Sequence, residues 1–198
     1  HGLSQAPDFM ICKRDSSGPD WGIYHRSAGK NKVLYFTTAA AATSTTAWNN
    51  NHPTDSLVFL GANGTTNGTD SMFYYIWHDV PGLQKFGSFV ANANADGPYV
   101  ELGFRPALVV AKKSSGTGTW FVIDSERDST NPTKKFVEWN DTDAEASSQE
   151  RYDFLSNGFK VRAPSGYTPN ETSGDTYIYM AWAEAPTVDL FGGGANAR

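Results

Sequence analysis

The chain has 198 residues, of which 14% are aromatic and 19 are glycine, and its formal net charge at neutral pH is −5. This length predicts one or two domains, and the richness in aromatic residues favours β structure. Acidic and basic residues are dispersed along the chain. That dispersion argues against nucleic-acid binding, which needs a clustered basic face.

The single cysteine and the hydropathy pattern bound the chemistry further. Because Cys12 is the only cysteine, no disulfide can form within the chain. Its apolar neighbours predict that it is a small buried residue. No apolar stretch approaches the length of a membrane span and no signal peptide opens the chain, so membrane insertion is not expected. The chain begins with His1, which predicts a processed product or a segment of a longer protein.

The chain contains an internal repeat. Residues 7–14, a polar turn and residues 21–25 match residues 106–113, another polar turn and residues 120–124. Further along, residues 70–79 match residues 175–184. Two matching blocks in the same order predict a duplicated unit.

The matched blocks have the pattern of β-strands. They are short apolar runs bounded by Pro and by Ser- and Gly-rich turns, and they are too short for helices. Weaker strands are predicted at 33–36, 57–60, 135–139 and 158–161, while 39–47 and 141–152 are predicted to be loops or short helices. The expected fold is all-β, with two tandem β-sandwich-like units at 1–83 and 84–198.

The junction between the two units suggests that a strand is missing. Residues 84–91 have the pattern of a strand that opens the second unit, and the first unit has no counterpart before Pro7. We therefore expect that one strand of the first unit is absent or is supplied by something else, such as sequence upstream of His1. The C-terminal tail belongs to the second unit.

One loop resembles half of a calcium site. Asn92, Asn94 and Asp96 alternate as oxygen donors before Gly97, as in the first half of a calcium-binding loop. The second half of that pattern fails, because Gly103 stands where a ligating Glu is needed. The preferred interpretation is an Asx-rich turn, so no metal or other cofactor is predicted.

Catalytic constellations are weak in this sequence. His25 and His78 each occur in only one of the two matched copies, and no histidine pair has metal-ligand spacing. A surface or edge-of-core role is therefore predicted for the histidines. Acidic residues cluster at 124–128 and 141–145, but alternating charges in loops are usually solvated. An enzyme is therefore not predicted.

Aromatic residues beside asparagine are the best candidates for ligand binding. A flat ring can stack on a sugar while amide groups bind its hydroxyls, and such pairs lie outside the matched blocks. The candidates are Trp48, Asn49, His52, Tyr167 and Asn170. The alternative for Trp48 is that it covers the end of the core.

Several strings resemble a known domain. They include Leu102-Gly-Phe-Arg-Pro106, Leu155-Ser-Asn-Gly-Phe-Lys160 and the ending Asn196-Ala-Arg198. Together they resemble the C-terminal repeat domain, of unassigned function, of virion and tail-fibre-like proteins of tailed bacteriophages. That resemblance covers nearly the whole chain. It implies a place on the phage particle and supplies no catalytic motif.

The resemblance and the residues together predict a structural protein of the virion surface. The leading hypothesis is a tail-fibre or receptor-binding distal module that attaches to the host surface, with glycans as candidate ligands. The alternative is a capsid decoration or head-fibre component without a ligand, and a minor alternative is a polysaccharide-degrading enzyme. Other virion proteins are the expected partners. A homo-oligomer is expected, and a trimer would be usual for fibre proteins.

Overall fold

The computed structural model describes residues 1–15 and 21–186. Within these ranges the chain forms strands joined by turns and irregular segments, with one 3₁₀ turn at Arg26–Ala28. The strands are β1 (Phe9–Arg14), β2 (Gly22–His25), β3 (Lys32–Tyr35), β4 (Thr43–Ser44), β5 (Met72–Trp77), β6 (Gln84–Val90), β7 (Tyr99–Glu101), β8 (Pro106–Lys113), β9 (Trp120–Asp124), β10 (Val137–Glu138), β11 (Tyr152–Leu155), β12 (Gly158–Val161) and β13 (Thr176–Ala183).

The strands form three antiparallel sheets. The first sheet has the order β4-β3-β2-β1-β5, the second has β10-β9-β8-β13-β6, and the third has β11-β12-β7. The prediction of an all-β fold is confirmed. The first sheet lies wholly within residues 1–83, whereas the other two lie within 84–198.

The matched sequence blocks occupy corresponding strands of the first two sheets. Ile11 of β1 pairs with Tyr75 of β5, and the matched residues Val110 and Met180 pair in the second sheet. The neighbouring hairpins agree as well, since β1 pairs with β2 as β8 pairs with β9. The shared register is what a duplication predicts, and the duplication itself stays a prediction.

The two five-stranded sheets pack face to face through a common core. Phe9 of the first sheet stacks on Trp77, with ring centroids 5.2 Å apart, and on Phe86 of the second sheet at 5.5 Å. This interior also holds Ile23, Leu34, Val110, Trp120, Val122, Ile178 and Met180. Because apolar side chains from both sheets fill this layer, each sheet removes the inner face of the other from water.

The outer faces of these two sheets are covered in different ways. The third sheet covers the second through a large cluster that includes Tyr152, Phe159 and Tyr177. An irregular segment covers the first sheet, where Trp48 packs beside Met10 and Tyr24. The molecule is therefore layered as irregular chain, first sheet, second sheet and third sheet.

Several weaker predictions of secondary structure need correction. Residues 57–60 are not a strand but an irregular segment whose Val58 and Leu60 pack against the first sheet. Residues 39–47 and 141–152, predicted to be loops or short helices, are irregular except for β4 in the first segment and Tyr152, which opens β11, in the second. The strand predicted at 135–139 is shorter, Val137–Glu138, and the one at Gly158–Val161 is present as predicted.

Candidate functional site

An open pocket of about 400 Å³ lies where one end of the first sheet meets the second. It is lined by Ile11, Trp21, Phe36, Thr37 and Trp139. Ligand pockets are usually apolar clefts that start at roughly 300 Å³. This one is therefore large enough for a single small ring and has the usual chemical character.

Neighbouring strands hold the aromatic residues in place. Trp21 directly precedes β2 and its carbonyl accepts the backbone N–H of Phe36, which follows β3, at 3.3 Å. The second sheet contains the corresponding hydrogen bond, in which the backbone N–H of Trp139 donates to the carbonyl of Trp120 at 3.0 Å. Trp21, Phe36 and Trp139 each thus extend a hydrogen-bonded strand pair by one residue, which fixes their backbones.

The rings form a right-angled corner. Phe36 meets Trp139 with centroids 5.2 Å apart and an interplanar angle of 86°, and its ring also packs on the buried Trp120 at 4.8 Å. Edge-to-face contacts of this kind are favourable because the positive edge of one ring faces the negative face of the other. These two contacts orient the Phe36 ring between Trp120 and Trp139.

Trp21 and Trp120 occupy matched positions but differ in exposure. Trp120 is fully buried and its indole N–H donates to the carbonyl of Tyr35 at 2.8 Å. Trp21 is 38% exposed and Trp139 is 44% exposed. Large aromatic rings left at the surface beside a cavity are typical of binding sites.

The five residues that line the pocket offer apolar surface and hydrogen-bonding groups. None of the five lining residues ionises at neutral pH, so they supply neither a general acid nor a general base. The two indoles have flat apolar faces, and the indole N–H groups and the Thr37 hydroxyl are the hydrogen-bonding groups among these side chains. Such a surface suits a flat, amphipathic ring.

Two of the predicted ligand-binding residues are buried. Trp48 is fully buried, its indole N–H donates to the carbonyl of Lys32 at 2.7 Å, and its ring meets the edge of Tyr24. The alternative interpretation, in which Trp48 closes the core, describes this position. Asn170 is also fully buried, so neither side chain is available to a ligand.

Asn49 and His52 remain at the surface above Trp48. Asn49 has a positive φ of 49° in a turn, a conformation that Asn tolerates well. His52 Nδ1 lies 2.7 Å from the Tyr24 hydroxyl, and partial burial lowers the pKa of its imidazole. With Trp48 buried beneath them, these two residues lack the exposed ring that a sugar site needs.

The ring of Tyr167 packs beside an arginine side chain. It is 40% exposed, and the Arg151 guanidinium lies 5.2 Å from its ring centroid. The same guanidinium lies over Phe136 at 4.7 Å, so Arg151 is held by cation–π contacts in an aromatic surround. One role of Tyr167 is therefore to shield a buried cation.

Asn170 and the Asn92–Asp96 loop come together. The side-chain oxygen Oδ1 of Asn170 accepts hydrogen bonds from the backbone N–H groups of Asn92 and Ala93. The side-chain Nδ2 of Asn170 donates to the backbone carbonyl of Asn94 at 2.7 Å. Within the loop, Asn92 Oδ1 accepts the Asn94 N–H and Asn94 Oδ1 accepts the Asp96 N–H. These are Asx turns pinned by a buried amide, as the preferred interpretation stated.

Three of the acidic residues that the sequence analysis singled out form ion pairs. Asp96 lies 2.6 Å from Lys160 Nζ, a contact that lowers the pKa of its carboxyl. Asp124 and Glu145 both pair with Arg127, at 2.7 and 3.2 Å. Among residues 1–15 and 21–186, no group of three His, Cys, Asp or Glu side chains is arranged to hold a metal ion.

Sequence reasoning missed the two indoles of the pocket. Trp21 lies inside a matched block, whereas the predicted candidates all lie outside those blocks, and Trp139 ends the strand predicted at 135–139. One signal was available. The strands predicted at 33–36 and 135–139 each follow a matched block and end in an aromatic residue, Phe36 in one and Trp139 in the other.

Comparison with known proteins gives a family and nothing more specific. No curated protein and no solved structure matches the chain. No helix in the described part of the chain is long and apolar enough to cross a membrane. Residues 1–186 match DUF7483, a domain of unknown function. The chain therefore belongs to the DUF7483 family.

Proposed function

We propose that this chain is a non-enzymatic attachment module of a tailed-phage virion, and that it binds a sugar ring of a host-surface glycan in the Trp21–Trp139 pocket. The observation that carries the proposal is the pair of part-exposed indoles beside a pocket of about 400 Å³. The motifs that resemble phage virion proteins support the location on the particle.

The physical argument rests on the shape and polarity of a sugar. A pyranose has an apolar C–H face and a polar rim of hydroxyl groups, so it matches an indole face bordered by hydrogen-bond donors. The corner made by Phe36 and Trp139 presents its rings at a fixed angle, which lowers the entropy lost on binding.

Binding at one such pocket is expected to be weak. A single ring in an open, mostly apolar cleft corresponds to a dissociation constant of about 1 mM, or about −4 kcal/mol. Attachment would then depend on several copies acting together, because linked sites raise the apparent affinity by about 10²–10⁴. A virion component present in many copies fits this requirement.

The test measures binding of the purified chain to a panel of bacterial O-antigen and capsular polysaccharides. We expect Trp21→Ala and Trp139→Ala each to weaken binding to the recognised polysaccharide by roughly tenfold or more, since each removes one stacking face. Tyr99→Ala is the matched control, because Tyr99 is a 44% exposed aromatic on β7 outside the pocket.

Three outcomes would contradict the proposal. Binding could be unchanged in both tryptophan variants, it could fall equally in the Tyr99→Ala control, or no polysaccharide in the panel could bind at millimolar concentration. Release of reducing sugar by the wild-type chain would instead favour a polysaccharide-degrading enzyme.

A further inference from the structure

The last strand of the first sheet has an open edge. β5 pairs with β1 and lies at the end of its sheet, whereas the corresponding strand of the second sheet, β13, is covered on its far side by β6. Within the described part of the chain, β5 has no strand on that far side.

The hydrogen-bonding groups at this edge can be identified from the register. The Asp15 N–H donates to the Ser71 carbonyl, so the backbones of Ser71, Phe73 and Tyr75 face β1. Those of Met72, Tyr74 and Ile76 consequently point to the open edge.

The second sheet shows how such an edge is used. The residues that match Met72, Tyr74 and Ile76 are Tyr177, Tyr179 and Ala181, which pair with Phe89, Gly87 and Lys85 of β6. An antiparallel strand is therefore the partner that this position takes in the same molecule.

The side chains beside the open edge are unusually apolar for a surface. Phe73 and Tyr75 are each 52% exposed, whereas the residues that match them, Ile178 and Met180, are fully buried. β5 reads Met-Phe-Tyr-Tyr-Ile-Trp and contains no charged residue and no proline. Exposed edge strands usually carry such residues to prevent pairing with another chain, so β5 is open to it.

We propose that β5 is the contact surface for a second copy of this chain, which pairs β5 with β5 in antiparallel orientation about a two-fold axis at Tyr74. In this register Tyr74 faces the partner's Tyr74, and Met72 faces the partner's Ile76. All three edge residues of each copy are then hydrogen-bonded, and the first sheet continues into that of the partner.

The same register makes the side chains complementary. Phe73 lies opposite the partner's Tyr75, which gives two cross-strand aromatic pairs, each worth up to about 1 kcal/mol. Asp70 lies opposite the partner's His78, so no like charges meet. A shift of the axis to Met72 or Ile76 loses the Phe–Tyr pairs and leaves edge groups of β5 without partners, so Tyr74 is the favoured centre.

The test is the mass of the full chain in solution, measured by light scattering and by sedimentation over a range of concentrations. We expect the wild type to be a dimer with a dissociation constant in the range of about 1–100 µM, as suits a small interface. The double variant Phe73→Lys/Tyr75→Lys is expected to be a monomer, because each lysine then faces a lysine of the partner.

A charge-reversed variant keeps the test decisive if the lysines have a general effect on folding. Phe73→Glu/Tyr75→Glu is also expected to be a monomer alone. A mixture of the lysine and glutamate variants should restore a dimer of one copy of each. Val90→Lys/Tyr99→Lys is the matched control, because Val90 and Tyr99 are exposed apolar residues away from β5, and it should remain a dimer.

The proposal is overturned if the wild type is a monomer throughout this range, if it is a trimer, if the lysine variant stays dimeric, or if the mixture fails to pair. Trp21→Ala and Trp139→Ala lie outside β5 and should leave the dimer intact. The tryptophan variants therefore test the glycan proposal and the β5 variants test the dimer proposal, so one proposal can fail without the other.

Discussion

His25 shows at the scale of one residue how burial changes a titratable group. It is fully buried, its Nε2 lies 3.1 Å from the carbonyl of Tyr179, and its Nδ1 accepts the backbone N–H of Ser27. These partners suit a neutral imidazole that donates from Nε2 across the two sheets. Burial lowers the pKa of His25 to about 4.

This pKa predicts the direction of a pH dependence. The imidazole in the unfolded chain titrates near its usual pKa of 6.5, so between about pH 6.5 and pH 4 the unfolded state binds more protons than the folded state. The contribution of His25 to the free energy of unfolding is therefore complete above about pH 6.5 and is lost as the pH falls towards 4. The loss amounts to about 3 kcal/mol.

The variant His25→Gln should remove this part of the pH dependence, because its amide can donate to Tyr179 without titrating. We expect urea unfolding at about pH 7 and about pH 4.5 to give a smaller difference in stability for the variant than for the wild type. His52→Gln is the control: burial lowers the pKa of His52 as well, but this side chain is exposed, so the variant should reduce the difference much less than His25→Gln does. If the stability of His25→Gln differs between the two pH values as much as that of the wild type does, His25 is not the source of this pH dependence.

At the scale of elements, the third sheet depends on a glycine where two strands approach closely. Gly158 opens β12, which pairs with β7, and a Cβ at this position would lie 2.1 Å from the Val100 carbonyl oxygen. Backbone atoms cannot yield as a flexible side chain can, so the two strands must separate to admit a methyl group.

We therefore expect Gly158→Ala to destabilise the protein by about 2 kcal/mol or more. Gly2→Ala is the matched control, since a Cβ at Gly2 meets nothing within 4 Å, and it should stay within about 0.5 kcal/mol of wild type. Chemical unfolding of both variants measures the difference. Equal stability of the two would show that β7 and β12 are not held as closely as the structure places them.

Elements differ in how far sequence could predict them. The strands of the repeat were predictable because each is an apolar run between turn residues, and Gly158–Val161 was predictable for the same reason. β7 and β11 were missed, since Tyr99–Glu101 and Tyr152–Leu155 carry acidic residues and are short. Both are strands because β12 lies between them, which is a long-range contact that local patterns do not encode.

The candidate site was predictable in kind but not in position. Sequence pointed to aromatic residues in loops, yet it selected Trp48, which lies inside the outer layer of the first sheet. Trp21 was not among the candidates, because they were sought outside the matched blocks. Whether a tryptophan of a repeat is inside or outside depends on how the two sheets are offset, and that offset is a property of tertiary packing.

At the scale of the whole molecule, the core between the first two sheets joins the predicted units. Ile23 of the first sheet and Val122 and Met180 of the second share this core. Neither sheet can bury its inner face without the other, so the units should unfold together although they were predicted as tandem repeats.

The variant Ile23→Ala tests this coupling. We expect one cooperative thermal transition in the wild type and a single transition at a lower temperature in the variant, with a loss of about 2–4 kcal/mol from the cavity in the shared core. Circular dichroism and tryptophan fluorescence should report the same midpoint. Two separate transitions, with only one of them shifted, would show that the sheets are independent domains.

The central claim, that the Trp21–Trp139 pocket binds a sugar, is tested most directly by the indole N–H signals of the six tryptophans in an NMR titration with the recognised polysaccharide. The signals of Trp21 and Trp139 should shift with the same dependence on polysaccharide concentration, while that of the fully buried Trp48, which lies outside the pocket, stays in place. Shifts confined to other tryptophans, or no shift at saturating polysaccharide, would contradict the claim.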